Sequence, residues 1–179
     1  MEQNTANKKR LLIVVDMQND FISGTLGSSD AKKAVPAVKE LIQAERKAGA
    51  NVIFTQDTHG ENYLSTQEGK LLPVPHCIRR TAGWNIPAEL FSAAPDARIF
   101  EKDTFGSISL AEQVRREQYD EITLCGVCTD ICVISNALLL KAYCPESRVR
   151  VVSSACAGTS AEAHTAALRT MQSCQIIIE

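Results

Sequence analysis

The segment Leu124-Cys125-Gly126-Val127-Cys128-Thr129-Asp130-Ile131-Cys132-Val133 concentrates three of the seven cysteines of the chain. It reads as a strand that passes through a tight turn into a helix. Cys132 falls in the first turn of that helix, where unpaired backbone N–H groups and the helix dipole favour a thiolate. The same N–H groups can receive a developing oxyanion, and a strand-to-helix turn is a common place to present a nucleophile. Two plainer readings compete. Free cysteines are usually small buried hydrophobes, which is the reading for Cys125 and Cys144. Cys125 and Cys128 also have the C-x-x-C spacing of metal or cluster sites, although the helical context and the missing fourth ligand argue against one. Spacing alone divides Cys132 evenly between a catalytic and a structural thiol.

Such a thiol is useful only if the fold brings acids and bases to it. The chain alternates strand-like and helix-like segments. Strands are expected at Leu11–Asp16, Asn51–Thr55, Arg98–Glu101, Glu121–Gly126, Val149–Ser153 and Gln175–Ile178. Helices are expected at Ala31–Ala48, with Gly49 as the stop, and at Ser109–Glu117, Asp130–Tyr143 and Ala161–Cys174. This pattern predicts an α/β fold of three α/β/α layers, with a six-stranded, mainly parallel, Rossmann-like sheet. Ligands of such sheets bind beyond the carboxyl ends of the strands. Asp16, Asp57, Lys102, Cys128 and Cys132 all fall at strand ends. Gln56–Pro95 breaks the rhythm: about 40 residues with little periodicity, a length that usually signals a functional segment.

The bulk properties narrow the function classes. The chain of 179 residues is expected to form one domain, 1–179, and its formal charge of −2 asks for neither nucleic acid nor an anionic membrane surface. The basic start Lys8-Lys9-Arg10 followed by Leu11–Val15 is too short for a signal peptide, and no apolar run approaches a membrane span. An odd number of cysteines predicts reduced thiols in a cytoplasmic protein rather than a disulfide framework. A nucleotide or flavin carrier on this sheet is disfavoured, since no G-x-G-x-x-G follows the first strand; no organic cofactor is expected.

The turn resembles that of the nicotinamidase–isochorismatase family of cysteine hydrolases, in the pattern G-[V/I]-x-T-[D/N]-x-C-V carried by Gly126, Val127, Thr129, Asp130, Cys132 and Val133. Asp16-Met17-Gln18-Asn19-Asp20-Phe21 resembles the family's first-strand signature D-x-Q-x-D-F. Glu101–Ser107 resembles its lysine segment, and Ser153–Thr159 its C-terminal portion, so the likeness spans about Leu11 to Ile178. It implies Cys132 as nucleophile, Asp16 as its proton acceptor and Lys102 as the third member. The chemistry agrees: a thiol needs a base or a positive field, and a carboxylate beside a lysine stays ionised. The resemblance also implies a cis peptide at Val127–Cys128, turning the Cys128 N–H toward the substrate oxygen beside the Cys132 N–H. A second thiol there, where the family often has alanine, opens disulfide or sulfenic chemistry.

Nicotinamidases of the family hold a divalent metal, which implies a site in the long loop (about 56–95). Asp57, His59 and His76 match two of its ligand motifs; Glu68, eleven residues after Asp57, matches the carboxylate of some bacterial members, while the alternative histidine position is Ser65. Two imidazoles and two carboxylates suit Zn²⁺, Fe²⁺ or Mn²⁺, and Zn²⁺ is the expected ion. Its task would be to hold a pyridine nitrogen and point the carboxamide at Cys132. Phe21, Trp84 and Phe105, with Val127 and Ile131 on the turn, are expected to wall the pocket, although an aromatic in such a place is more often core than pocket. Thr58 and Ile131 stand where aromatics are frequent. The implied activity is conversion of nicotinamide to nicotinate and ammonia through a Cys132 thioester, a step of NAD salvage, by a homo-oligomer acting on a small-molecule amide. The alternatives are a related hydrolase of ureido or carbamoyl compounds and, less favoured because Cys132 is present, an isochorismatase-type hydrolase.

Overall fold

The computed structural model describes residues 8–179; the first seven residues of the polar start lie outside it. Its frame is a six-stranded sheet in the order β3-β2-β1-β4-β5-β6, all pairings parallel. The strands are β1 (Arg10–Val15), β2 (Asn51–Asp57), β3 (Arg98–Lys102), β4 (Glu121–Val127), β5 (Arg148–Ala157) and β6 (Ile177–Ile178). β1 is buried along Leu11–Val15, as expected of a strand covered on both faces. The expected mainly parallel sheet is thus entirely parallel.

The sheet is covered by α2 (Ser29–Lys47), α5 (Ile108–Glu117), α6 (Ile134–Tyr143) and α7 (Ala161–Ser173). Shorter helices are α1 (Asn19–Ile22), α3 (Gln67–Leu71) and α4 (Ala88–Phe91). The chain winds outward from β1 to β3, returns through α5 to β4, and then winds the other way. Right-handed crossovers in opposite directions put the two sets of helices on opposite faces, and α5 packs on α6 while α2 packs on α4. Ser28 starts α2 by accepting the Ala31 N–H at 3.0 Å. Pro36 is tolerated within α2 at an exposed position.

The order of the strands fixes the site. Direction reverses between β1 and β4, and the crevice at their carboxyl ends is the switch point where ligands bind in open α/β sheets. Asp16 leaves β1 there, and the Cys128–Cys132 turn leaves β4 beside it. Close approach requires glycine at 126: φ is +118°, and a Cβ would lie 2.1 Å from the Val15 carbonyl oxygen. The register between β4 and β5 shifts between Leu124 and Gly126, and β5 runs on to Ala157, past the expected end at Ser153. The last strand is shorter than expected. The expected helix Asp130–Tyr143 is divided: Thr129–Val133 forms a π-helical turn before α6 begins at Ile134. Wide turns of this kind concentrate at functional sites.

Candidate active site

Asp16 is completely buried and sits in the left-handed region, φ +48°. A non-glycine residue held there is uncommon and costs free energy that the surroundings must supply. Thr55 on β2 holds it from both sides: the Thr55 hydroxyl donates to Asp16 Oδ1 at 2.6 Å and accepts the Asp16 N–H at 3.1 Å. Asp16 Oδ2 faces the Lys102 ammonium, with Nζ at 2.6 Å. The same ammonium is 3.6 Å from Cys132 Sγ and 3.1 Å from Asp57 Oδ1. Asp16, Lys102 and Cys132 therefore meet, as the sequence reading expects, with Lys102 at the hub.

Burial governs their proton affinities. It raises the Asp16 carboxyl above its ordinary value, more than the Lys102 charge lowers it. Burial opposes the charge on Lys102, but Asp16, Cys132 and Asp57 together outweigh it and the ammonium is held more firmly than usual. The Cys132 thiol is raised by burial first and by Asp16 second, against the pull of Lys102. Burial thus favours the protonated thiol, next to a carboxyl of raised proton affinity. This arrangement can transfer the thiol proton to Asp16 as sulfur attacks. The Val127–Cys128 peptide bond is cis, as the resemblance implies. The Cys128 thiol is pushed up to about 12 by burial, which makes it a poor nucleophile at neutral pH. Cys125 and Cys144 are buried, in keeping with a packing role.

The second cluster adjoins the first. Ligand atoms of Asp57, His59 and His76 all lie within 4.8 Å of one another. Asp57 Oδ2 is 3.0 Å from His59 Nε2 and 3.5 Å from His76 Nε2. Glu68 Oε1 approaches the same nitrogens at 3.6 and 3.7 Å. His76 Nδ1 donates to the Val74 carbonyl at 2.9 Å, which turns Nε2 toward the cluster. Hydrogen bonds from His59 and His76 and the Lys102 charge hold the Asp57 carboxyl below its usual range despite its burial. Two imidazole nitrogens and the Asp57 carboxylate converging in this way, with Glu68 nearby, fit a borderline divalent cation.

A cavity of about 420 Å³ opens onto both clusters. Cys132, Cys128, Asp57, Glu68 and His76 line it, together with Phe21, Phe105, Val127 and Ile131; Asp16 and Lys102 lie buried behind this wall. Trp84, expected in the pocket, does not line it. Its indole N–H donates to the Thr58 hydroxyl at 2.8 Å, so the ring is spent on anchoring the loop. Leu26, Leu72 and Thr159 are among the wall residues that the sequence reading missed. No period marks them, because they come from three connecting segments. Thr159 is held by Asp130, whose Oδ1 accepts the Thr159 N–H at 2.8 Å.

Known proteins resemble this chain in both sequence and fold. An uncharacterized isochorismatase family protein, PncA of Bacillus subtilis, is 31% identical over 172 residues, which cover 89% of this chain and 92% of the relative. The nicotinamidase/pyrazinamidase of Mycobacterium tuberculosis is 28% identical over 182 residues, covering 93% and 96%. Among solved structures, the pyrazinamidase of Pyrococcus horikoshii in complex with zinc superposes with a TM-score of 0.80 at 31% identity, covering 96% of this chain and 98% of that one. The isochorismatase domain model matches residues 10–179, and the chain belongs to that family.

Proposed function

We propose that the chain is a nicotinamidase: it hydrolyses nicotinamide to nicotinate and ammonia within one domain, using Cys132 as nucleophile, Asp16 as proton carrier and Lys102 as the cation that poises both. It is an amide-hydrolysing member of the isochorismatase family, as its nicotinamidase relatives indicate. The observation that carries the reading is Lys102 Nζ, 2.6 Å from Asp16 and 3.6 Å from Cys132 Sγ, next to an Asp/His/Glu/His cluster on the same cavity.

In the first step Cys132 Sγ attacks the carboxamide carbon and its proton passes to Asp16. The backbone N–H groups of Cys128 and Cys132 receive the oxyanion. Asp16 then returns the proton to the departing nitrogen, ammonia leaves, and a thioester remains on Cys132. Water, deprotonated by Asp16, attacks the thioester; nicotinate leaves and the thiol regains the proton. Asp57, His59, Glu68 and His76 would hold a divalent cation, with zinc the favoured ion, and that ion supplies a Lewis-acid anchor for the pyridine nitrogen. Phe21, Phe105, Val127 and Ile131 wall the ring. Orientation of this sort is worth several kcal/mol in general.

The thioester is tested by acid-quenching the enzyme during turnover of nicotinamide and mapping cysteine adducts by mass spectrometry. A nicotinoyl group on the Cys132 peptide supports the mechanism. Turnover by a Cys132→Ala variant at the wild-type rate rules it out.

A further inference from the structure

The residues just after Asp16 do more than continue the chain. Gln18 is completely buried, and its side chain grips the backbone of Asp57: Oε1 accepts the Asp57 N–H at 2.7 Å and Nε2 donates to the Asp57 carbonyl at 2.9 Å. The same Nε2 donates to the Trp84 carbonyl at 2.9 Å. Two residues on, Asp20 Oδ2 accepts the Cys77 N–H at 2.8 Å. Cys77 follows His76 directly and has φ +47°, a turn beside the point where His76 Nε2 lies 3.5 Å from Asp57 Oδ2. The Asp20 N–H donates to the Gly83 carbonyl at 2.9 Å. The Asp20 carboxylate packs flat on Gly83, where a Cβ would lie 2.2 Å from both of its oxygens.

We infer that Gln18 and Asp20 are positioning residues for the metal cluster: Gln18 fixes Asp57, Asp20 fixes the turn that aims His76, and the β1 end thereby serves both centres. The inference rests on the metal reading above. The two ligands come from chain positions far apart, Asp57 on the sheet and His76 in the long loop. Their 3.5 Å approach needs an agent that touches both segments, and the stretch from Gln18 to Asp20 does so through buried side chains. Neither side chain reaches the ligand atoms, so each acts through the backbone. Outer partners of this kind typically change metal affinity ~10–100-fold when removed.

The test is the zinc dissociation constant of the metal-free chain, read by competition with a chromophoric chelator. Asp20→Ala is expected to bind zinc ~10–100-fold more weakly. Asp20→Asn keeps an acceptor oxygen for the Cys77 N–H and is expected to recover most of that loss. Gln18→Glu keeps the size of the side chain but turns an oxygen toward the Asp57 and Trp84 carbonyls, and is expected to weaken zinc at least ~10-fold. It keeps the test decisive if Asp20→Ala fails to fold. Wild-type affinity in both Asp20→Ala and Gln18→Glu would overturn the inference while leaving the metal site standing. Failure of the wild-type chain itself to bind zinc would overturn the metal reading, and this inference with it.

Discussion

Asp57 and Lys102 are register partners on adjacent strands, and their side chains meet at 3.1 Å through Asp57 Oδ1. Because Oδ2 of the same carboxylate faces the two histidines, Asp57 belongs to both clusters at once. Substitution should therefore separate it from its neighbours in the loop. His76→Ala is expected to weaken zinc and chiefly raise KM for nicotinamide. Asp57→Asn is expected to weaken zinc and lower kcat as well, since Lys102 then loses one of its two carboxylates. Steady-state kinetics at saturating zinc distinguish the two patterns.

Lys102 is the hub of a buried charge network, and breaking such a network from its cationic side leaves uncompensated carboxylates. Lys102→Met is expected to destabilise the metal-free chain by about 3–5 kcal/mol, read by urea unfolding. Asp16→Asn should cost about 1 kcal/mol or less, because Lys102 keeps Asp57 and Thr55 keeps an acceptor oxygen. The same Asp16→Asn change should still lower kcat by ~10²–10⁴, the usual worth of a positioned proton carrier. A large stability loss in Asp16→Asn with turnover intact would reverse this assignment.

Glu117 gives a pH signature remote from the site. Two hydrogen bonds from Arg98, at 2.6 and 2.9 Å, pull its carboxyl down to about 2, with further help from Gln113 and Tyr119. An unfolded chain would titrate this group near ~4.3, so folding favours the ionised form. Its stabilisation is complete above ~4.3 and fades as the pH falls toward about 2. Glu117→Gln is expected to lose about 1 kcal/mol or less at pH 7, a partly exposed pair being screened. Wild type and variant should converge in unfolding free energy below about pH 2.

Gly126→Ala is expected to be severe. The added Cβ would meet the Val15 backbone at 2.1 Å with φ at +118°, and rigid strands on both sides allow no relief. A loss of several kcal/mol, seen as a fall in soluble yield or melting temperature, is the predicted outcome.

Much of this site is legible in the order of residues along the chain. Asp16, Asp57, Lys102 and Cys132 can be read because a parallel sheet gathers strand ends, wherever they lie in sequence. The helix–turn reading of Cys132 locates the thiol correctly but not the π-helical turn that carries it, since the hydrogen-bond register of a single turn leaves no periodic trace. Trp84 illustrates the opposite case. An aromatic in a long loop looks like pocket wall, but its direction is set by the Thr58 hydroxyl, a partner 26 residues away. Gln18 stands in the first-strand signature, but its task is not readable until β2 is laid beside β1, because its partners are backbone groups.

The central claim is that Cys132 is the nucleophile of a nicotinamide amidohydrolase, and release of ammonia from nicotinamide by the purified, reduced, zinc-replete chain tests it most directly, with Cys132→Ala in parallel. The account predicts rapid release that the variant abolishes. No release by the wild-type chain would contradict nicotinamide as substrate, and equal release by the variant would contradict Cys132 as the nucleophile.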